Sequence, residues 1–101
     1  MLDGFKAEDL LEDAKRVLRI TGFNFDEEIE DIISAGAHDL RIAGIINIDP
    51  EEPLIKRAIL TYCRLHFGEP VDPVRLKASY DEQKAQLKTA SGFTDWGNDN
   101  G

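Results

Sequence analysis

The chain has a single cysteine among its 101 residues, and this excludes a disulfide within the chain. No stretch approaches the roughly 18 consecutive apolar residues that a membrane span requires. Basic residues are also few, since 12 lysines and arginines stand against 20 aspartates and glutamates, a net charge of −8. Because nucleic acids and anionic lipids repel acidic proteins, this balance argues against non-specific binding to either.

Sites for catalysis, cofactors or metals are also lacking. No serine or cysteine lies in a nucleophile motif, and the chain has no glycine-rich phosphate loop. Cys63 and His66 have the spacing of two metal ligands, but a closed zinc site needs four and His38 is the only other histidine. Cys63 also lies on an apolar helical stripe, where a buried, inert thiol is expected. We therefore expect no enzyme, no cofactor and no metal ion.

Apolar residues recur at helical spacing in four segments, which predicts an all-α, compact four-helix bundle. The first helix is expected over residues 6–20, with Gly22 as the left-handed residue after its end. The second is expected to begin with a capping box formed by Asn24 and Glu27 and to end at Gly44. The predicted buried stripe of the first helix is Leu10, Leu11, Ala14, Val17 and Leu18.

Prolines and glycines set the remaining boundaries. Residues 45–48 are β-branched and apolar and predict a short irregular linker, after which Pro53 opens the third helix. The third helix has the widest apolar stripe, which places the core there. Asp72 followed by Pro73 begins the fourth helix. Gly36, in the middle of the second helix, predicts close packing against another backbone. The fourth helix is expected to bury or half-bury Val74, Leu76, Tyr80 and Leu87.

Beyond residue 88 the apolar periodicity ends. Residues 1–88 are expected to form one helical domain, and residues 89–101 a flexible C-terminal arm. Phe93 and Trp96 are large aromatic residues in this otherwise polar segment, and such residues commonly dock on a partner. The alternative is that they pack on their own domain.

Acidic and basic residues are unevenly distributed along the chain. Residues 1–52 hold 14 acidic and 5 basic residues, a net of −9, whereas residues 53–88 hold 4 and 7, a net of +3. Opposite halves could attract copies of the chain head to tail, or they could neutralise each other within one monomer. The candidate contacts between protomers are Lys56, Arg57, Glu51 and Glu52.

Three segments, taken in order, resemble a known family. They are VLRITG at 17–22 running into DEEIEDII at 26–33, DP at 49–50 followed by LIKRAILTY at 54–62, and KASYDEQKAQL at 77–87. Together they span roughly residues 10–88. In order and spacing, the chain resembles the small head–tail connector (adaptor) proteins of tailed bacteriophages.

The resemblance implies a homo-oligomeric ring of about a dozen copies beneath the portal protein, through which the genome passes. It implies a virion protein of the neck, assembled in the host cytoplasm, with the portal and a downstream neck or tail-completion protein as partners. A channel for DNA should not bind phosphates tightly, so acidic residues are suited to its lining. No sequence-specific binding of nucleic acid is expected. The candidates for an acidic lumen are Glu27, Glu28, Glu30 and Asp31.

The alternative function is a monomeric acidic inhibitor, a DNA mimic that occupies a DNA-processing enzyme. Its carboxylates would imitate phosphates, and the net charge permits this. A mimic needs acid throughout, however, and several basic residues of the second half count against it. They are Lys56, Arg57, Arg75, Lys77, Lys84 and Lys88. An unrelated helical regulatory domain is a third alternative.

Overall fold

The structure, a computed structural model, describes residues 5–90. Every regular element of this part of the chain is a helix, so the all-α, four-helix prediction is confirmed. A 3₁₀ turn at Ala7–Leu10 precedes helices α1 (Leu11–Leu18), α2 (Asp26–Ile42), α3 (Pro53–His66) and α4 (Pro73–Thr89).

Helix α3 lies at the centre of the fold because it packs against α1, α2 and α4. Its residues Ile55, Ala58, Ile59 and Cys63 are fully buried, which confirms that the core centres on this helix. The 3₁₀ turn, the other helices and the linker each contribute buried apolar residues to the same core. These residues are Leu10, Ala14, Ile29, Ile33, Ala37, Leu40, Ile45, Ile48, Tyr80 and Leu87.

The predicted boundaries of α3 and α4 follow from proline and a preceding acid. The Glu52 carboxylate accepts a hydrogen bond from the Leu54 amide, and the Asp72 carboxylate accepts one from the Arg75 amide at 3.2 Å. Each bond satisfies an amide that the first helical turn leaves without a partner. At the other end of the linker, Gly44 has a φ of 102° and terminates α2 as predicted.

Two predicted helix ends are wrong. Helix α2 begins after Phe25, whose side chain makes no capping hydrogen bond, so Asn24 and Glu27 do not form a capping box. Helix α1 ends at Leu18, and the next residue, Arg19, is itself left-handed with a φ of 61°. Gly22, with a φ of 81°, lies in the turn that follows. The chain therefore reverses direction three residues earlier than its glycine suggests.

Two valines predicted to be buried are not. Val17 is 38% exposed and Val74 is 80% exposed. Val17 borders a groove rather than a packed neighbour. The buried residues of α4, Tyr80 and Leu87, lie further along the helix, so its first turn adds little to the core. Helical spacing identifies an apolar stripe but not where the neighbouring helix stops.

Gly36 is buried where α2 meets α3. A Cβ atom at this position would lie 3.0 Å from Cδ2 of Tyr62. The predicted close contact is therefore present, but the group that requires it is an aromatic ring and not a second backbone. The ring is also held by Tyr80, at 5.3 Å between centroids, and by His66, at 4.2 Å.

Candidate assembly interface

A groove runs along one side of α3, between α1 and α4. One part has a volume of about 440 Å³ and extends from Pro53 to Leu76. A second part, of about 850 Å³, extends to the turn between α3 and α4. Both parts are lined by Val17, Arg64, Leu76 and Ser79. The two parts therefore form one continuous groove, called here the α1–α4 groove.

The α1–α4 groove combines apolar lining with a charged rim, in which four basic residues lie beside Glu51, Glu69 and Asp72. Its apolar lining includes Val17, Pro53, Leu60 and Leu76. The side chains of Arg57, Arg64 and Arg75 are exposed and make no ion pair with another residue of 5–90. Three positive charges beside apolar surface are suited to a partner that brings both carboxylates and an apolar side chain.

The structure places the four predicted protomer contacts differently. Glu51, Lys56 and Arg57 all line the α1–α4 groove. Lys56 is also paired within the monomer, at 3.5 Å from an Asp13 oxygen. Glu52 caps the start of α3, so its carboxylate already has a backbone partner. Of the four, Glu51 and Arg57 are exposed and make no ion pair within residues 5–90, so their charges are available to another molecule.

The predicted lumen residues form one acidic face on α2. Glu27, Glu28 and Asp31 are exposed and Glu30 is partly exposed. None of the four makes an ion pair within residues 5–90. The helix start favours negative charge, because the first amides of a helix carry a partial positive charge. This acidic face of α2 is thus stable without cationic neighbours and is available to solvent or to a partner.

The turn between α1 and α2, residues 19–25, presents an aromatic residue that the sequence did not single out. Phe23 is 83% exposed, whereas Lys15 beneath it is only 7% exposed. The Lys15 ammonium donates to the Gly22 carbonyl at 2.6 Å, lies 2.8 Å from an Asp26 oxygen and is 5.0 Å from the Phe23 ring centroid. A buried ammonium is stable only with such partners, so these contacts fix the turn. Local sequence gives no signal for this arrangement, because seven or more residues separate the lysine from its partners.

A second polar cluster joins α2 to α4. The Tyr80 hydroxyl donates to the Asp39 carboxylate at 2.5 Å, and the Lys84 ammonium donates to the same oxygen at 3.0 Å. Burial on its own would raise the pKa of Asp39, but these two bonds and the Lys84 charge lower it overall. Burial, followed by the bond to Asp39, raises the pKa of Tyr80. The contacts thus favour the ionised carboxylate of Asp39 and the neutral hydroxyl of Tyr80, which indicates a structural role.

Cys63 has the environment expected of an inert thiol. It is fully buried, and burial raises its pKa to about 12, so almost no thiolate is present near neutral pH. His38 is exposed, as expected. The described part of the chain holds no group of three or more possible metal ligands. No helix in residues 5–90 has the length and apolarity to cross a membrane.

The chain was compared with known proteins. The family model described as phage connector protein matches residues 10–94. The chain belongs to the phage connector protein family. This confirms the resemblance carried by the three sequence segments, and it makes the chain a structural head–tail connector component of a phage virion. No curated protein and no solved structure matches the chain.

Membership also bears on the other predictions. The connector family is structural and generally non-enzymatic, and the match gives no support to an acidic DNA mimic. The matched region includes Phe93 but not Trp96. Both predicted docking residues of the arm lie outside the residues that the structure describes.

Proposed function

We propose that copies of this connector assemble head to tail into a closed ring beneath the phage portal, and that the genome passes through the ring. A ring of identical subunits needs two unlike, complementary faces on each protomer. The main supporting observation is that one protomer has both unpaired arginines along the α1–α4 groove and an unpaired acidic face on α2. Within one protomer the arginines of the α1–α4 groove do not pair with the acids of α2. They can therefore pair only between copies or with other partners.

Neutralisation within the monomer accounts for only part of the charge. Four lysines are paired internally, namely Lys15 with Asp26, Lys56 with Asp13, Lys77 with Asp81 and Lys84 with Asp39, and Arg16 also pairs with Asp13. The groove arginines are the basic residues left beside apolar surface. Each exposed ion pair contributes only about 0.2–1 kcal/mol, so charge alone would orient protomers rather than hold them. Apolar contact must supply the remainder.

Those acids of α2 that do not meet the arginines of a neighbouring copy are proposed to face the channel. An acidic wall repels the phosphates of passing DNA and avoids the counterion-releasing contacts by which lysine and arginine hold it. Glu27, Glu28, Glu30 and Asp31 remain the candidates, and their exposure supports this role. No sequence-specific contact with the genome is expected.

The arm, residues 89–101, is proposed to dock on the portal or on a neighbouring copy through Phe93 and Trp96. Deleting residues 90–101 should leave the helical circular dichroism of the monomer unchanged but weaken attachment to the portal, and Trp96→Ala should reproduce much of that loss. Trp96 is the only tryptophan, so its fluorescence reports on the arm directly. A fully blue-shifted emission in the free monomer would show instead that the arm packs on its own domain.

The ring is tested by native mass spectrometry of the full chain mixed with the portal protein of its phage. We expect one discrete complex that contains multiple connector copies, and its growth should be sensitive to salt. The complex should then bind a downstream neck or tail-completion protein. A chain that stays monomeric with the portal at every concentration would overturn the proposed ring.

A further inference from the structure

We propose that Phe23 of one copy inserts into the α1–α4 groove of the next copy. The acids in the first turn of α2 then face the arginines on the rim of that groove. This contact rests on the proposed ring, and it names the two surfaces that close it.

The α1–α2 turn has the properties of a preformed anchor. Phe23 is 83% exposed, although removing an aromatic side chain of this size from water is strongly favourable. The turn is held from beneath by Lys15, through the Gly22 carbonyl and the Asp26 carboxylate. Little conformational entropy is therefore lost when the Phe23 side chain is immobilised on binding. An exposed aromatic residue on a fixed turn is typical of a binding hot spot.

The anchor and the first part of the groove, which Leu60 lines, lie on different sides of α1, whereas the second part comes close to the turn, because it is lined by Leu18 and by Phe67, which packs against Phe25. Lys15 and Val17 are two residues apart, which corresponds to about 200° around a helix with 3.6 residues per turn. Phe23 lies over Lys15, whereas Val17 lines the groove. Each copy therefore presents the anchor and the first part of the groove on different sides of α1. Such an arrangement joins copies head to tail and does not pair them symmetrically.

The groove matches the turn in both polarity and charge. Its lining by Leu60 and Leu76 receives a phenyl ring, and Arg57 and Arg64 lie beside that apolar lining. In the turn, Asp26 is already paired with Lys15, so Glu27 and Glu28 are the acids left to meet these arginines. Opposite charge around an apolar centre is the usual composition of a specific interface.

Hydrogen bonding adds a further match. The Gln83 side chain lines the groove, and its Oε1 atom is buried without a hydrogen-bond partner in the described part of the chain. A buried acceptor of this kind is destabilising unless a donor reaches it. The amides of Phe23 and Asn24 donate to no acceptor within residues 5–90. Because this acceptor is buried, the amides of the turn reach it only if the Gln83 side chain moves as the turn inserts.

The contact also refines the lining of the channel. Glu27 and Glu28 lie next to Phe23 at the start of α2, so they belong to the contact between copies. Glu30 and Asp31 follow and remain for the lumen. The competing occupant of the groove is the arm of the chain, which carries Trp96 and two aspartates.

Cysteine cross-linking on the portal separates these occupants. In a Cys63→Ala background, Asn24→Cys keeps Phe23 in place and Ser79→Cys puts a thiol in the groove. After assembly on the portal and oxidation with copper phenanthroline, the double variant should give a ladder of dimers, trimers and longer chains on a non-reducing gel. Each single variant should give no species beyond a dimer. A double variant that binds the portal but gives no ladder overturns the contact.

Two further variants decide between anchors. Phe23→Ala should raise the connector concentration needed for half-assembly on the portal by about tenfold or more, as loss of a hot-spot aromatic does. Ile42→Ala is the matched control, because Ile42 is 84% exposed at the opposite end of α2. Equal effects of the two variants, or no effect of Phe23→Ala, overturn the proposal. So does a cross-link between Trp96→Cys and Ser79→Cys in place of the ladder, since the arm then fills the groove.

The outcomes also separate this contact from the ring itself. Wild-type chain that assembles on the portal while the cysteine pair gives no ladder leaves the ring intact and removes only the contact. Wild-type chain that fails to assemble removes the proposed function and the contact with it. Circular dichroism of each variant must match the wild type, so that misfolding is not counted as lost assembly.

Discussion

Helix α3 has one side that is closed by its neighbours and another that opens onto the α1–α4 groove. On the closed side Ile55 and Ile59 are fully buried, and Tyr62 packs over Gly36. On the open side Leu60 is only partly buried and Arg64 is exposed. The comparison indicates that one helix can serve stability with one side and assembly with the other. Substitutions on the two sides should therefore have separable effects.

The largest expected effect on stability is at the closed side. Ile59→Ala should lower the free energy of unfolding by about 2–5 kcal/mol, because it removes buried methylene groups and leaves a cavity. Leu60→Ala is the matched control on the adjacent residue and should cost clearly less. Urea melts of both variants measure this difference. Equal losses, or less than about 1 kcal/mol for Ile59→Ala, would contradict the assignment of the two sides.

Tyr80→Phe tests the polar cluster that ties α4 to the closed side. Loss of the hydrogen bond to Asp39 should cost about 1–2 kcal/mol near pH 7, where Lys84 remains as the second partner of the carboxylate. The pKa of Asp39 is lowered in the folded state from its usual 3.8. Its ionised form therefore contributes stability above that pH, and this contribution is lost as the pH falls through the lower, folded value. The cost of Tyr80→Phe should shrink in urea melts below pH 3.8, and a cost independent of pH would argue against the cluster.

Gly36→Ala has a smaller expected effect, because two contributions oppose each other. Alanine favours the helix by about 1 kcal/mol over glycine. Its Cβ would, however, lie 3.0 Å from Tyr62, and overpacking of this kind costs about 1–3 kcal/mol. We expect a net loss of about 0–2 kcal/mol in the wild-type background. In a Tyr62→Leu background the same change should become stabilising, and thermal melts that show no such reversal would exclude contact with the ring as the cause.

The smallest expected effect on stability is at the open side. Arg64→Ala should change the free energy of unfolding by no more than about 0.5 kcal/mol, because the side chain is exposed and makes no ion pair within residues 5–90. Assembly on the portal should nevertheless weaken. A loss of stability comparable to that of Ile59→Ala would mean that the groove side belongs to the core.

The closed side and the helix boundaries set by Pro53, Pro73 and Gly44 could be predicted from the sequence, whereas the end of α1 and the start of α2 could not. Pro53, Pro73 and Gly44 act through their own backbone geometry, so their effect is local and visible in the chain order. The apolar spacing of α3 likewise depends on residues within four positions of each other. These features need no knowledge of the tertiary fold.

The open side and the polar contacts between distant residues could not be predicted, because they depend on where helices stop and on partners far apart in the chain. Val17 continues the apolar stripe of α1, but no helix covers it. Tyr80 and Asp39 are 41 residues apart in the chain, and nothing near either one indicates the bond. Lys15 is a charged residue in an amphipathic helix, for which exposure is the usual expectation. The anchor at Phe23 depends on the burial of Lys15, so it could not be predicted either.

The most direct test of the central claim is a charge exchange between the two faces. Arg57→Glu with Arg64→Glu should prevent the chain from assembling on the portal while the monomer stays folded, because two carboxylates would then face Glu27 and Glu28 of the next copy. Adding Glu27→Lys and Glu28→Lys to the same chain restores opposite charge across each contact. Native mass spectrometry with the portal should show the multi-copy complex lost in the first variant and recovered in the exchanged one. Assembly that survives the first reversal, or that the exchange fails to recover in a folded chain, would contradict the account.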